Sequence, residues 1–594
     1  LKPPCLMLCV PSIAVLQTGQ DAAKSNEEEA YETHDTLPCW ASGESPRFYS
    51  SREPELPAAD SALSSEECRE VGISVQRTTT RTPTTLRNSH QHQQATRARF
   101  THFADHELKR GLPVVKVLER FGSVLGSSHG SAATFDLSGP VEQIDVFISH
   151  NWSTKQAPKF LTLAYHFNFY LTMMLCLISV LAASVLLYLR LLPVGDTNFQ
   201  HMRHFSWHCW LASLLAFVLA LFFGHDILRV LGVKGRSVFL DKACIHQTDP
   251  TLQRQGIESL SAYLAASNEL LIVYTDDYLE RLWTVYELAS MLIIKPAARI
   301  TVVPTMVVLV LCSALVYTCL IQALWIAMLS STEISFDDSF LALKVTAFAF
   351  AILPLLVALR RWSRKKAKIE STARRFEIRH ANCSVESDRK VVYRNVSSLM
   401  RYFGFVSVGA GTEAALDAFD FMARELVPLY LNASFGRSGI PWRYGFCLVP
   451  ATLGFGMDVV FAQDDLNELS YFFIPFWATL AFAVVPLHLA CLSWLSARCI
   501  HLEGLRDYAF TLILWLIGSI VIICSVVALL FLWMLLAGRG PAFMMISFPV
   551  CGGAAAATLK VYWPISVPAA AQAQLKEECK EHILRTSLNE TFSL

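Results

Sequence analysis

The chain has 594 residues, with 50 Lys and Arg balanced by 50 Asp and Glu. Of these residues 53% are hydrophobic and only 17% charged, against about 25% charged in soluble proteins, and the mean hydropathy is +0.38. The length allows several domains, the zero net charge gives no case for nucleic acid, and the long uncharged runs point to a multi-pass helical membrane protein. The 16 cysteines are scattered, without CxxC pairs or histidine-paired spacing, so no metal site and no disulfide framework is expected.

The chain begins at Leu1 rather than Met, as a fragment or a gene-model product would. The apolar stretch 6–16 is interrupted by Pro11 and is short for a signal peptide. Residues 1–110 are rich in Ser, Thr, Glu, Arg and Pro without periodicity and read as a disordered region. A strand is expected at 144–150 (IDVFISH), followed by the start of a helix. Uncharged runs at 160–189 and 204–225 then read as a transmembrane hairpin.

Between 237 and 294 the chain is more polar and alternates strand (238–240), helix, strand (270–274) and helix (280–294), the order of a parallel α/β sheet. One more strand is expected at 297–304. Further spans are expected at 300–332, 339–359, 444–462, 469–497, 508–538 and 542–563, about eight in all. The domain plan is a disordered region at 1–110, the two halves of one α/β domain at 142–168 and 235–304, and a hairpin at 169–231 between them. Spans three and four follow at 305–359, a basic linker with an amphipathic helix at 360–440, spans five to eight at 441–567, and a tail at 568–594.

Between Arg360 and Arg379 there are nine Lys or Arg and two Glu. The positive-inside rule puts this run in the cytoplasm and suggests contact with anionic membrane lipids. The acidic loops STEISFDDS and AQDDLNEL fall outside. Both halves of the α/β domain then lie on the cytoplasmic side. Asp458 is an ionisable residue within an expected span, and Asp464 and Asp465 beyond it suggest a position near the outer interface.

Four segments in this order carry a resemblance. IDVFISHNW with KFLTLAYHF resembles the first strand and helix of a TIR domain, and GRSVFLDKACIHQ its second strand. QGIESLSAYLAASNELLIVYTDDYLERLWTVYEL resembles the next helix, strand and WxxxEL helix, and ITVVP the last strand. The resemblance covers roughly 100 residues in two pieces. It departs from the family in the membrane hairpin between first helix and second strand, and in KACIHQTDP, which lacks the usual acidic, glycine-containing loop.

The resemblance implies a flavodoxin-like, doubly wound sheet with its site at the carboxyl ends of the strands. It implies signalling by self-association or by assembly with other TIR-like domains. In the branch of the family that hydrolyses NAD+, as substrate rather than cofactor, the WxxxEL glutamate is catalytic, and Glu287 is its match here. Ser149, His150, Asp241 and Trp283 are then ligand-contacting candidates. Phe147, beside them on the first strand, is a further candidate that a core position explains equally well. Against catalysis, a helix wheel puts Leu282, Val285, Tyr286, Ala289, Leu292 and Ile293 on one stripe and Glu287 opposite, where a solvated glutamate is ordinary. The alternative reading is a channel or transporter regulated by the TIR-like module.

Overall fold

The computed structural model describes residues 102–562 apart from 104, 200–201, 296–297, 330–349, 384, 463–466 and 538–541, together with isolated positions beyond 562. The expected disordered region and C-terminal tail lie almost wholly outside these residues.

A six-stranded sheet organises the polar part of the chain. Its strands are β1 (Arg110–Pro113), β2 (Gly139–Pro140), β3 (Ile144–His150), β6 (Ser237–Phe239), β7 (Ser267–Tyr274) and β8 (Arg299–Pro304), in the spatial order β2-β1-β6-β3-β7-β8. The four strands β6, β3, β7 and β8 are mutually parallel, and β1 adds to the β6 edge antiparallel. Val146 pairs with Val238 and Phe147 with Phe239, so the pieces on either side of the helical hairpin form one sheet. β3 and β7 are buried along almost their whole length. Parallel strands covered on both faces read as continuous apolar runs for this reason. The chain leaves β3 for β6 on one side and later takes up β7 on the other, so the strand order reverses beside β3.

The connection from β3 to β6 is the helical hairpin. Helix α1 (Gln156–Tyr188) runs 33 residues without a break, roughly 50 Å. Its first turns are buried against the sheet through Phe160, Leu163, Ala164 and Tyr165, whereas Tyr170, Met174, Ile178 and Leu181 further along are exposed. After a two-stranded ribbon, β4 (Gly195–Phe199) and β5 (Met202–Phe205), helix α2 (His208–Val230) returns beside it. The Asn168 amide donates to the Leu221 carbonyl at 2.9 Å, which ties the two helices together.

The longer helices that follow are α3 (Leu282–Ile294), α4 (Val307–Leu329), α5 (Leu353–Arg374), α6 (Glu386–Tyr402), α7 (Thr412–Phe435) and α8 (Val449–Phe461). Beyond them come α9 (Phe473–Ser496), α10 (Leu505–Ala537) and α11 (Ala542–Tyr562). Among the described residues, five helices are long and apolar enough to cross a membrane: α1, α2, the α8 helix counted from Trp442, α9 and α10. The apolar described part of α4 is shorter, Val308–Leu324. Much of the run at 339–359 lies outside the described residues.

The segment 360–440, expected to be a linker whose amphipathic helix packs on the soluble domain or the membrane surface, is an integral layer of the fold. Helices α6 and α7 pack on α3, and α7 also covers β8. The Leu282 amide donates to the Asn382 carbonyl at 3.0 Å, which stitches this layer to the start of α3. Three cations of the basic run are likewise engaged within the protein. Arg360 is buried and bonded to Asp507 at 2.9 Å, and Arg364 also pairs with Asp507. Lys365 pairs at 2.8 Å with Asp276, in the turn after β7.

Candidate functional site at the carboxyl end of the central strand

The carboxyl end of β3 lies beside the point where strand order reverses. In doubly wound sheets that is where loops diverge and leave a crevice. β3 ends in Ser149 and His150, both buried. After β7 the chain makes a 3-10 turn at Tyr278–Glu280, held by the Thr284 hydroxyl, which donates to the Tyr278 and Arg281 carbonyls. This turn aims α3 so that its second turn passes the end of β3.

Glu287 therefore does not face water. The sequence stripe records only which side of α3 meets the sheet. It cannot record that α6 and α7 cover the rest, leaving ten of the thirteen residues of α3 buried. Glu287 is half-buried, and the Ser149 hydroxyl donates to its Oε2 at 2.5 Å. The Tyr278 hydroxyl lies 2.6 Å from Ser149 Oγ and 3.3 Å from the Thr284 carbonyl. The chain of hydroxyls can run either way. When Glu287 is ionised, Ser149 donates to it and Tyr278 donates to Ser149. When Glu287 is protonated it donates to Ser149, Ser149 to Tyr278, and Tyr278 to the Thr284 carbonyl. Burial raises the Glu287 carboxyl to about 8, opposed by the Ser149 bond and helped by the negative charge of Asp241.

Asp241 follows β6. Its Oδ2 accepts from the Trp152 indole at 2.8 Å and its Oδ1 from the Lys242 amide at 2.7 Å. The His150 ring stands edge-on to Trp152, 4.3 Å between centroids. Burial pushes the His150 imidazole down to about 4, against the pull of Asp241, so the ring is neutral at physiological pH. Two buried donors in this neighbourhood, Asn151 Nδ2 and Lys159 Nζ, have no hydrogen-bond partner among the described residues, and neither has the buried His150 Nε2. Lys159 lies 4.8 Å from the centre of the Trp152 ring, and Lys242 donates to the Ser127 carbonyl at 2.9 Å. Buried donors are normally paired, so this unmet capacity suits an anionic or acceptor-rich ligand.

Of the residues singled out by sequence, Ser149, His150, Asp241 and Glu287 come together here. Phe147 and Trp283 do not join them. Phe147 is fully buried and stacked on Phe239 at 4.5 Å, a core position. Trp283 donates through its indole nitrogen to Asp388 of α6 at 3.1 Å and serves as an anchor between layers. Sequence reading placed the turn ending at Tyr278 at this edge but missed Asn151, Trp152, Lys159 and Lys242. The one available signal among these was Lys159, the last cation before a 30-residue uncharged run. Asp458 is also buried, but its partners are structural: it accepts from Ser206 Oγ at 2.7 Å and from the amides of Cys209 and Trp210 at 2.9 and 2.8 Å. It thus caps the start of α2 from a neighbouring helix. Among the described residues no group of three or more His, Cys, Asp or Glu is placed to hold a metal ion.

Compared with protein-family models, curated proteins and solved structures, the chain has no match.

Proposed function

We propose that this chain is a multi-pass membrane protein that presents a TIR-like, flavodoxin-like domain to the cytoplasm, signals by assembly of that domain, and cleaves NAD+ at Glu287. The observation that carries the reading is the Ser149–Glu287 pair at the carboxyl end of β3, in a parallel sheet rebuilt across a helical hairpin. A carboxylate suits the cleavage because the ribosyl transition state is oxocarbenium-like. The bond from C1′ to the nicotinamide nitrogen breaks with its electron pair going to nicotinamide, which leaves neutral. Ionised Glu287 stabilises the ribosyl cation, held in place by Ser149. Water adds at C1′ and loses its proton to solvent, giving ADP-ribose. Lys159 and Asn151 supply unmet donors for the phosphates. The apolar lining of the cavity among the helices, described below, runs against the alternative of an ion path.

The test is nicotinamide release from NAD+ by the purified full chain, wild type against Glu287→Ala. The proposal expects release by the wild type and loss of at least a hundredfold in the variant. Equal turnover, or none in either protein, removes the catalytic role.

A further inference from the structure

A second region of unmet polarity lies far from the sheet, among the apolar helices. Helices α2, α4, α5, α8, α9 and α10 surround a cavity of about 330 Å³. Its wall is almost wholly apolar and includes Trp210, Tyr317 and Ala451, with no Lys, Arg, Asp or Glu. Into this wall is set Gln322 of α4, which is 2% exposed. Neither its Oε1 nor its Nε2 has a hydrogen-bond partner among the described residues, and the indole nitrogen of Trp477, also in the wall, is a buried donor without one. Among the other polar side chains of the lining, His488 is engaged with the Ser525 hydroxyl at 3.1 Å, and Thr318 and Thr452 donate to the Leu315 and Leu448 carbonyls.

A carboxamide with both ends unmet in an apolar chamber is costly unless something fills the chamber and pairs with it. The complement must both donate, to Oε1, and accept, from the N–H groups. A ketone or ester only accepts. A carboxylate or ammonium would be a buried charge without a counter-ion. A hydroxyl meets both demands with one atom. At interior packing density the cavity accommodates about 240 Å³ of atoms, a body of about twelve carbons.

We propose that this cavity binds an uncharged lipid alcohol, its hydrocarbon body filling the chamber and its hydroxyl paired with Gln322. The site is independent of the Glu287 chemistry and stands or falls separately from it.

The experiment is photolabelling of the full chain in liposomes with a diazirine-bearing analogue of 1-dodecanol, followed by peptide mapping. Label is expected on α4 and α9, reduced at least fivefold by excess 1-dodecanol and less than twofold by dodecane or dodecanoate. Gln322→Leu removes the unmet amide at similar size, so it folds, and it lowers specific labelling at least fivefold. Ala451→Leu, which fills the chamber and leaves Gln322 in place, lowers it as much and serves as the second variant. Competition by dodecane equal to that by dodecanol, or labelling unchanged in both variants, overturns the proposal.

Discussion

Two carboxyl groups, half-buried Glu287 at the sheet edge and buried Asp458 at the start of α2, stand in opposite situations. Asp458 accepts three hydrogen bonds, two of them from backbone amides that open a helix. Nothing is left for a ligand to offer it. Glu287 has one bonded partner, Ser149, and its neighbourhood holds donors that no described residue meets. Burial costs each carboxyl its hydration. At Asp458 the fold supplies the replacement, so the group contributes to structure. At Glu287 the replacement is incomplete, a single hydroxyl where Asp458 has three donors. The lesson is that burial of an ionisable group does not mark a site; incomplete satisfaction of a buried group does.

Substitutions can break this contrast. Glu287→Gln is expected to lower NAD+ cleavage by about two orders of magnitude or more while helping the fold at high pH. The folded carboxyl is raised from an ordinary value of 4.5 to about 8. The folded state therefore holds its proton more tightly, and wild-type stability falls as pH rises between those values. The stability advantage of Glu287→Gln should grow from pH 5 to pH 8 and level off above, reaching on the order of 4 kcal/mol. Denaturation of both proteins across that range measures it, and a constant difference would contradict the assignment.

Asp458→Ala is expected to cost about 2 kcal/mol through loss of the helix cap, read as a lower melting temperature, with NAD+ cleavage per folded molecule unchanged. Ser149→Ala removes the bond that holds the Glu287 carboxyl down. Its cleavage rate at pH 7 should drop about tenfold and recover in part at higher pH. Lys365→Ala breaks a half-exposed pair with Asp276 and should change stability by about 0.5 kcal/mol or less. A large effect there would mean that α5 controls the turn after β7.

Sequence reading reached different depths in these regions for physical reasons. β3, β6, β7 and β8 were legible because buried parallel strands are uninterrupted apolar runs, and the hairpin because 30 residues without charge are hard to mistake. β1 was not legible: four residues that include Gly111 and Pro113 carry no period, and only the exposed edge of β6 makes them a strand. The surroundings of Glu287 were invisible for a related reason. A helix wheel reports one face, and the second face of α3 is covered by helices about 100 residues further along. The cations of the basic run read as lipid-facing, yet Arg360 and Arg364 find Asp507 some 140 positions away, a pairing no local pattern announces.

The most direct measurement is the pH dependence of kcat/KM for nicotinamide release by the full chain, since that ratio reports ionisations of the free protein. If ionised Glu287 carries the reaction, kcat/KM rises with pH and levels off above about 8, where the buried carboxyl loses its proton. The midpoint moves upward in Ser149→Ala, and the signal disappears in Glu287→Ala. A profile flat from pH 5 to 9, or one that persists in Glu287→Ala, would contradict the account.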